Sequence, residues 1–205
     1  MTNNHYNFAY WGPLLWHRTV EPSIVEGLLD LGLNLGKDRD HSKHLASNIE
    51  DVKSFTPSDR EWAMVQLEHH FQNYLQAEQE YLNHRSRQRA RSMNGVAELG
   101  GMWINRQRQY ETNPEHKHDG HLSFVLYLQV PEELKKEHDS YIGQGPGPGS
   151  IQFRYGEYLD WVLNVQTFFP TAGQMFIFPA ELSHSVTPFK SDIERISVSG
   201  NIFLS

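Results

Sequence analysis

The first half of the chain carries apolar residues at the spacing of α-helices. From about Pro22 to Leu33 they recur every three or four positions, which predicts a helix with one buried face. A second, longer pattern continues to about His84. Ser58, with Glu61 three residues later, forms a capping-box sequence, so we expect this helix to begin there. Both helices need a partner for their apolar faces, and a sheet is the expected one.

From about Ala97 the pattern changes to short β-type runs separated by glycine and proline. Runs rich in β-branched and aromatic residues predict strands at 101–109, 122–130, 150–155, 161–168, 174–178, 184–188 and 194–203. The segment 143–149 is too rich in glycine and proline for either element and is expected to be a loop.

Strands that follow helices in this way indicate an α+β fold. We expect a jelly-roll-like barrel in residues 96–205, buttressed by a helical support in residues 1–95. No polar linker separates the two parts. The prediction is therefore a single domain, 1–205, with one shared core.

Composition limits the chemistry that such a fold can carry. The 205 residues include 12 histidines and no cysteine, which excludes disulfides, zinc ribbons, iron–sulfur clusters and thiol nucleophiles. A bound metal must therefore be held by imidazole and oxygen ligands, which suit iron, manganese, nickel, copper or zinc.

Charge and hydropathy limit the partners. The formal net charge of −7 argues against nucleic acid or an anionic membrane as the main partner. No apolar run approaches the ~20 residues of a membrane span, and the polar start is not typical of a signal peptide. We therefore expect a soluble cytoplasmic protein. The basic run Arg85, Arg87, Arg89 and Arg91 is expected to be a solvated face near a helix C-terminus rather than a phosphate site.

The histidines suggest a metal site. His116 and His118 are two residues apart, so their rings share a face if the chain is extended there. His184 lies at the start of a later β-run and could supply a third imidazole. Two close ligands and one distant ligand can build a metal site with open positions. The alternative is a histidine-rich surface loop without a metal.

Other nearby groups are weaker ligand candidates. Asp119 is out of phase with His118 and should face away, unless a bulge turns it inward to replace His118. His121 is expected beside the site or in solvent. The remaining pairs, His41 with His44 and His69 with His70, are expected to be solvent-facing polar residues.

Arg195 is a second unusual residue, because it begins a strand of alternating apolar positions. An arginine inside a barrel is costly unless it meets an anion, and its planar guanidinium suits a carboxylate. The alternative is a structural ion pair with Asp192 or Glu194.

The combined pattern resembles the Fe(II)/2-oxoglutarate-dependent dioxygenases, and in particular a group of 2-oxoglutarate oxygenases frequent in marine bacteria and cyanophages. The residues that carry the resemblance lie between 97 and 205. They are Asn113-Pro114, His116-x-His118, Leu122-Ser123, Tyr127-Leu128, Pro131, Phe178-Pro179, His184-x-Val186-x-Pro188, Glu194-Arg195-Ile196-Ser197 and Asn201. Most members of the wider superfamily have HxD where this chain has HxH.

The resemblance implies a double-stranded β-helix that binds Fe(II), 2-oxoglutarate and O₂. Position by position, His116, His118 and His184 would ligate iron. Arg195 would pair with the distal carboxylate of 2-oxoglutarate, and Ser197 would hydrogen-bond it. Further pocket candidates are Asn105, Asn113, Ser123 and Tyr127.

The implied reaction is hydroxylation of a C–H bond, with release of succinate and CO₂. The substrate would be a peptide or protein, for example at proline, or a small molecule. Two alternatives stay open from the sequence. One is a cupin-like three-histidine metalloenzyme that does not use 2-oxoglutarate, and the other is a non-enzymatic jelly-roll binding or structural module.

Overall fold

A computed structural model describes residues 12–84 and 95–205 of the chain. The described part contains three α-helices and ten strands: β1 Trp16–Thr19, α1 Pro22–Leu33, β2 Asp51–Ser54, α2 Pro57–His84, β3 Ala97–Gln107, β4 Asn113–His116, β5 Leu122–Gln129, α3 Glu132–Asp139, β6 Ile151–Arg154, β7 Val165–Phe168, β8 Gln174–Pro179, β9 Ser183–Val186 and β10 Arg195–Leu204. The arginine run at 85–91 lies outside the described residues.

The strands form two antiparallel sheets. The larger has the order β1-β8-β5-β10-β3-β2, and the smaller has the order β4-β9-β6-β7. Val125 and Tyr127 of the larger sheet pack against Ile151 and Phe153 of the smaller sheet in one buried cluster. The two sheets therefore face each other, with a core between them.

Alternation along the central strands explains the layers. On β5 and β10, even-numbered residues such as Leu126 and Val198 pack toward the helices. Odd-numbered residues such as Tyr127 and Arg195 point between the sheets. Because successive side chains of a strand alternate faces, the larger sheet buries both of its faces. The cavity described below lies on the odd-numbered face.

The helices cover the outer face of the larger sheet. α1 spans Pro22–Leu33, as the apolar spacing predicts, and buries Ile24 and Leu28. α2 ends at His84, also as predicted, and buries Leu67 and Phe71 in the same cluster as the sheet residues. None of the helices in the described part of the chain combines the length and the apolar character needed to cross a bilayer.

The start of α2 differs from the prediction. The helix begins at Pro57, and the reciprocal hydrogen bonds of a capping box join Thr56 and Asp59 rather than Ser58 and Glu61. Thr56 Oγ1 accepts from the backbone N–H of Asp59 at 3.2 Å. Proline favours the first helical position, because its missing N–H has no partner there. The cap therefore lies at Thr56, two residues before the predicted cap at Ser58.

Four elements are absent from the prediction. β1 and β2, with sequences WHRT and DVKS, are four-residue edge strands of the larger sheet, β4 is a four-residue edge strand of the smaller sheet, and α3 is an eight-residue helix. Strands this short and polar have no recognisable alternation, since tertiary pairing decides them. Conversely, residues 161–164 are not strand, and β7 begins at Val165.

The environment of His70 also contradicts the prediction. His69 is exposed as expected, but the side chain of His70 is completely buried. Adjacent helix positions differ by about 100° in direction, so His70 lies on the apolar face with Leu67 and Phe71.

Candidate metal centre

Three imidazoles meet at the edge of the smaller sheet. His116 ends β4 and pairs directly with His184 on β9. His118 follows two residues later, where its backbone N–H donates to the Ala180 carbonyl at 2.9 Å. One ring nitrogen from each histidine lies within 4.8 Å of the other two. The chain thus brings together the three histidines singled out from the sequence.

Backbone contacts orient two of these rings. His116 Nδ1 lies 2.8 Å from the Pro114 carbonyl oxygen, and His184 Nδ1 lies 2.9 Å from the Leu182 carbonyl oxygen. A carbonyl can only accept, so each Nδ1 carries the proton and donates it. Each Nε2 therefore presents a lone pair, which is the usual arrangement of a metal-binding histidine.

Burial keeps the three rings neutral. It lowers the pKa of His116, lowers that of His118 to about 4 and lowers that of His184 to about 3, with a smaller contribution from neighbouring rings at His118 and His184. Neutral imidazole is the form that binds metals. His118 Nε2 and His184 Nε2 are 3.2 Å apart. With metal–nitrogen bonds of roughly 2.0–2.1 Å, two adjacent ligands of one ion would be separated by roughly 2.9–3.4 Å. These residues fit a divalent metal.

Neither Asp119 nor His121 joins this cluster. Asp119 lines the neighbouring cavity but contributes no atom to the group of three ligand nitrogens. His121 Nδ1 accepts from the backbone N–H of Leu204 at 3.0 Å, and its ring lies beside Phe203. As described, the cluster consists of imidazoles alone.

A cavity of about 380 Å³ lies between the sheets beside the three histidines. At its rim, the rings of Trp103 and His118 lie 5.6 Å apart, and His41 lies 5.8 Å from Trp103. His41 is half-buried and lines the cavity, so the prediction of a solvent-facing residue is wrong there, while His44 is exposed at the same rim.

Arg195 occupies the wall opposite the histidines and has no carboxylate partner among the described residues. Its side chain is 3% exposed. Nη1 donates to the Gly149 carbonyl at 2.8 Å, Nη2 donates to Gln107 Oε1, and Nε has no partner. Burial lowers the pKa of this guanidinium. A buried cation without an anion is unfavourable.

The alternative interpretation of Arg195, a structural ion pair with Asp192 or Glu194, finds no support among the described residues. Glu194 instead receives Arg106 at 2.9 Å and Arg108 at 3.4 Å, on the outside of the strand. Glu194 and Arg195 are neighbours on β10, so their side chains point to opposite faces. The charge of Arg195 therefore remains available to a ligand.

Further polar groups near Arg195 also lack partners. The hydroxyl of Tyr127 and Oδ1 of Asn105 are buried and unpaired, and the guanidinium of Arg195 lies 5.1 Å from the centre of the Tyr127 ring. Ser197 lines the same cavity. Buried polar groups are normally hydrogen-bonded, so this group is suited to a polar ligand.

The remaining pocket candidates have separate positions. Asn113 Nδ2 lies 3.4 Å from His116 Nε2, beside the cluster. Ser123 does not line the cavity but donates to Asn201 Oδ1 at 3.1 Å, and Asn201 does line it. Ser123 is thus one contact removed from the cavity.

Several polar residues in or beside the cavity are absent from the sequence-based candidates. Gln107 holds Arg195, and its own amide donates to the Glu111 carbonyl at 2.6 Å. Ser199 accepts from Asn105 Nδ2 at 3.4 Å. The sequence signal for these residues is a polar side chain at every second position of an otherwise apolar strand. This pattern occurs on β10 after Arg195 and on β3 after Trp103.

The segment of the chain that contains this site matches a known protein family. Residues 101–201, about half of the chain, match a protein family described as "Putative 2OG-Fe(II) oxygenase". This segment contains the three histidines and Arg195. No curated protein sequence matches the chain.

Solved structures share the fold at low identity. Viral collagen prolyl hydroxylase from Paramecium Bursaria Chlorella virus-1, in complex with 2-oxoglutarate, has a TM-score of 0.57 and 13% identity over 92% of this chain and 94% of its own. Iron-bound HygX from Streptomyces hygroscopicus has a TM-score of 0.53 and 11% identity over 95% of this chain and 82% of its own.

A third structure is an oxidoreductase of the 2OG-Fe(II) oxygenase family from Burkholderia pseudomallei. It shares 16% identity over 54% of this chain with a TM-score of 0.40, and this chain covers 46% of that protein. The full-length likenesses confirm the α+β jelly-roll fold. The match of the barrel segment shows that this chain belongs to the 2OG-Fe(II) oxygenases, a family of oxidoreductases.

Proposed function

We propose that this protein hydroxylates a C–H bond in a reaction that depends on Fe(II) and 2-oxoglutarate. In this proposal His116, His118 and His184 hold the iron through their Nε2 atoms. Arg195 binds the distal carboxylate of 2-oxoglutarate, and Ser197 donates a hydrogen bond to it. The proposal differs in this from a binding or structural module, in which the histidines would be incidental.

The observation that carries the proposal is the environment of Arg195. The guanidinium is buried, faces the same cavity as the three histidines and has no acidic partner in the described structure. A three-histidine metal site that binds no dicarboxylate cosubstrate would not explain why the Arg195 guanidinium is buried without an anion. A dianion bound in the cavity would offset the charge of Arg195 and part of the 2+ charge of the metal.

Polar residues in and beside the cavity would orient Arg195 and complete the binding site for the cosubstrate. Gln107 and the Gly149 carbonyl fix the plane of the Arg195 guanidinium, which leaves Nε unpaired. The hydroxyl of Tyr127 and the amide of Asn105 are the other unsatisfied groups available to it. Bound Fe(II) would supply the oxidative chemistry, in which O₂ is consumed, 2-oxoglutarate yields succinate and CO₂, and the substrate gains a hydroxyl.

The substrate proposed is a peptide or protein residue, such as proline, or a small molecule. The shared fold with a viral collagen prolyl hydroxylase supports the peptide class. HygX shares the same fold along nearly the whole chain, so the fold is not restricted to the collagen prolyl hydroxylase. Trp103, His41 and His44 line the same cavity as the three histidines, so a substrate bound in that cavity would contact them.

The test is anaerobic loading with Fe(II) followed by 2-oxoglutarate. We expect a visible charge-transfer band on adding 2-oxoglutarate, and succinate once air is admitted. Arg195→Ala should weaken 2-oxoglutarate binding on the order of 100-fold, because a buried charge-assisted hydrogen bond is lost. Iron affinity should change little, since Arg195 does not contact the histidine cluster.

Arg108→Ala is the matched control, because Arg108 is about half exposed and lies on the outer face with Glu194. It should leave both 2-oxoglutarate and iron binding unchanged. Metal binding without any dependence on 2-oxoglutarate would instead support the cupin-like three-histidine alternative. Failure to bind iron at all would contradict the assignment of His116, His118 and His184.

A further inference from the structure

A second cluster of potential metal ligands lies on the opposite side of the larger sheet from the cavity. Glu21 follows β1 and precedes α1, while His69 and His70 lie in the middle of α2. One ligand atom from each of the three residues lies within 4.8 Å of the other two. None of them lines the cavity beside His116, His118 and His184.

His70 is the residue that makes this cluster unusual. Its side chain is completely buried, yet neither ring nitrogen has a hydrogen-bond partner among the described residues. Burial is the main cause that lowers the pKa of His70 to about 4, so the ring is neutral at pH 7. A buried polar group without a partner is destabilising. Both nitrogens therefore keep a free donor or acceptor site.

The geometry directs one of these nitrogens at the other ligands. His70 Nε2 lies 3.5 Å from Glu21 Oε2, slightly more than the separation of two adjacent ligands of one metal, and the rings of His69 and His70 have centroids 3.8 Å apart. Arg18 Nη2 contacts the other carboxylate oxygen, Glu21 Oε1, at 3.7 Å. Oε2 is therefore the carboxylate oxygen that faces His70.

We propose that Glu21, His69 and His70 form a second metal site, which takes a late first-row divalent cation such as Zn²⁺. Two imidazoles and one carboxylate suit this class of ion, whereas Mg²⁺ and Ca²⁺ prefer oxygen ligands alone. Water would complete the coordination on the exposed side of Glu21 and His69. A bound ion would join the β1–α1 junction to α2 and so stabilise the helical layer.

The experiment is Zn²⁺ binding to the full chain, measured by calorimetry and by metal content after dialysis. In His118→Ala protein, where the three-histidine cluster is disabled, we expect one Zn²⁺ per chain. His69→Gln or Glu21→Gln in that background should weaken this binding at least tenfold. These two residues are exposed, so their variants should fold even if a His70 variant does not.

Glu26→Gln is the matched control, since it makes the same change at an exposed position of α1 outside the cluster. It should leave Zn²⁺ binding as it is. Zn²⁺ should also raise the unfolding temperature of His118→Ala protein by several degrees, and not that of the His69→Gln/His118→Ala double variant. Absence of Zn²⁺ binding in His118→Ala protein, or equal binding in all variants, would overturn the proposal. This readout is independent of the oxygenase activity.

Discussion

Histidine side chains in this protein have different environments, although they are chemically identical. His116, His118 and His184 converge on one point, and burial holds their pKa values below the ordinary range. His70 is buried against the apolar face of α2, and His121 binds the backbone of the last strand. Residue type indicated a nitrogen-based metal site, but burial and neighbours decide what each ring can do.

A carboxylate outside the site gives a prediction about pH. Glu137 accepts hydrogen bonds from the backbone N–H groups of Lys190 and Ser191 and from the Ser191 hydroxyl. Partial burial acts to raise the pKa of Glu137, but these donors outweigh it and the pKa is lowered from 4.5. A lowered pKa in the folded state adds stability above pH 4.5, and this stability is lost as the pH falls below it.

Glu137→Gln should therefore lower the free energy of unfolding by about 1 kcal/mol at pH 7. The difference from wild type should shrink at pH 3, because the stabilisation by the Glu137 carboxylate is progressively lost as the pH falls below 4.5. Urea unfolding at the two pH values measures this. Glu133→Gln, at an exposed position of the same helix, is the control and should have little effect. An equal loss at both pH values would contradict the assigned cause.

At the scale of elements, long amphipathic patterns were predictable and short edge elements were not. α1 matches its predicted range, and the central strands β5, β8 and β10 lie within two residues of theirs. These elements repeat a hydrophobic period over many residues. β1 and β2 have only four residues each, and pairing with β8 and β3 defines them.

The start of α2 supplies a prediction at this scale. Thr56→Ala should destabilise the protein by about 1 kcal/mol, because it removes the acceptor for the Asp59 backbone N–H. Ser58→Ala, at the position that sequence pattern favoured, should cost less than about half of that. Thermal unfolding of both variants tests this, and a larger loss for Ser58→Ala would show that the cap lies at Ser58.

Across the whole molecule, helices and barrel share one buried cluster. Leu28 of α1 and Phe71 of α2 pack in the same group as Leu126 and Val198 of the sheet. Two strands from the N-terminal half, β1 and β2, also complete the larger sheet. We predict that these parts unfold together, as a single domain.

Unfolding followed by far-ultraviolet circular dichroism and by tryptophan fluorescence should therefore give the same midpoint. Leu28→Ala, a truncation at a completely buried position, should lower the stability seen by both probes by about 3 kcal/mol. Leu33→Ala, at a position that is 46% exposed, should change little. Two separate transitions would show that the helical layer and the barrel are independent units.

The sequence by itself determined the α+β class, the main helices and central strands, and the chemistry of a possible metal site. It could do so because hydrophobic period and ligand type are local properties of the chain. Only the tertiary structure decided that His184 lies opposite His116. It also decided that Glu194 points outward to Arg106 and Arg108, so that Arg195 has no acidic partner among the described residues. Strand pairing between distant segments fixes those relations, and pairing depends on the packing of the whole barrel rather than on any one stretch of sequence.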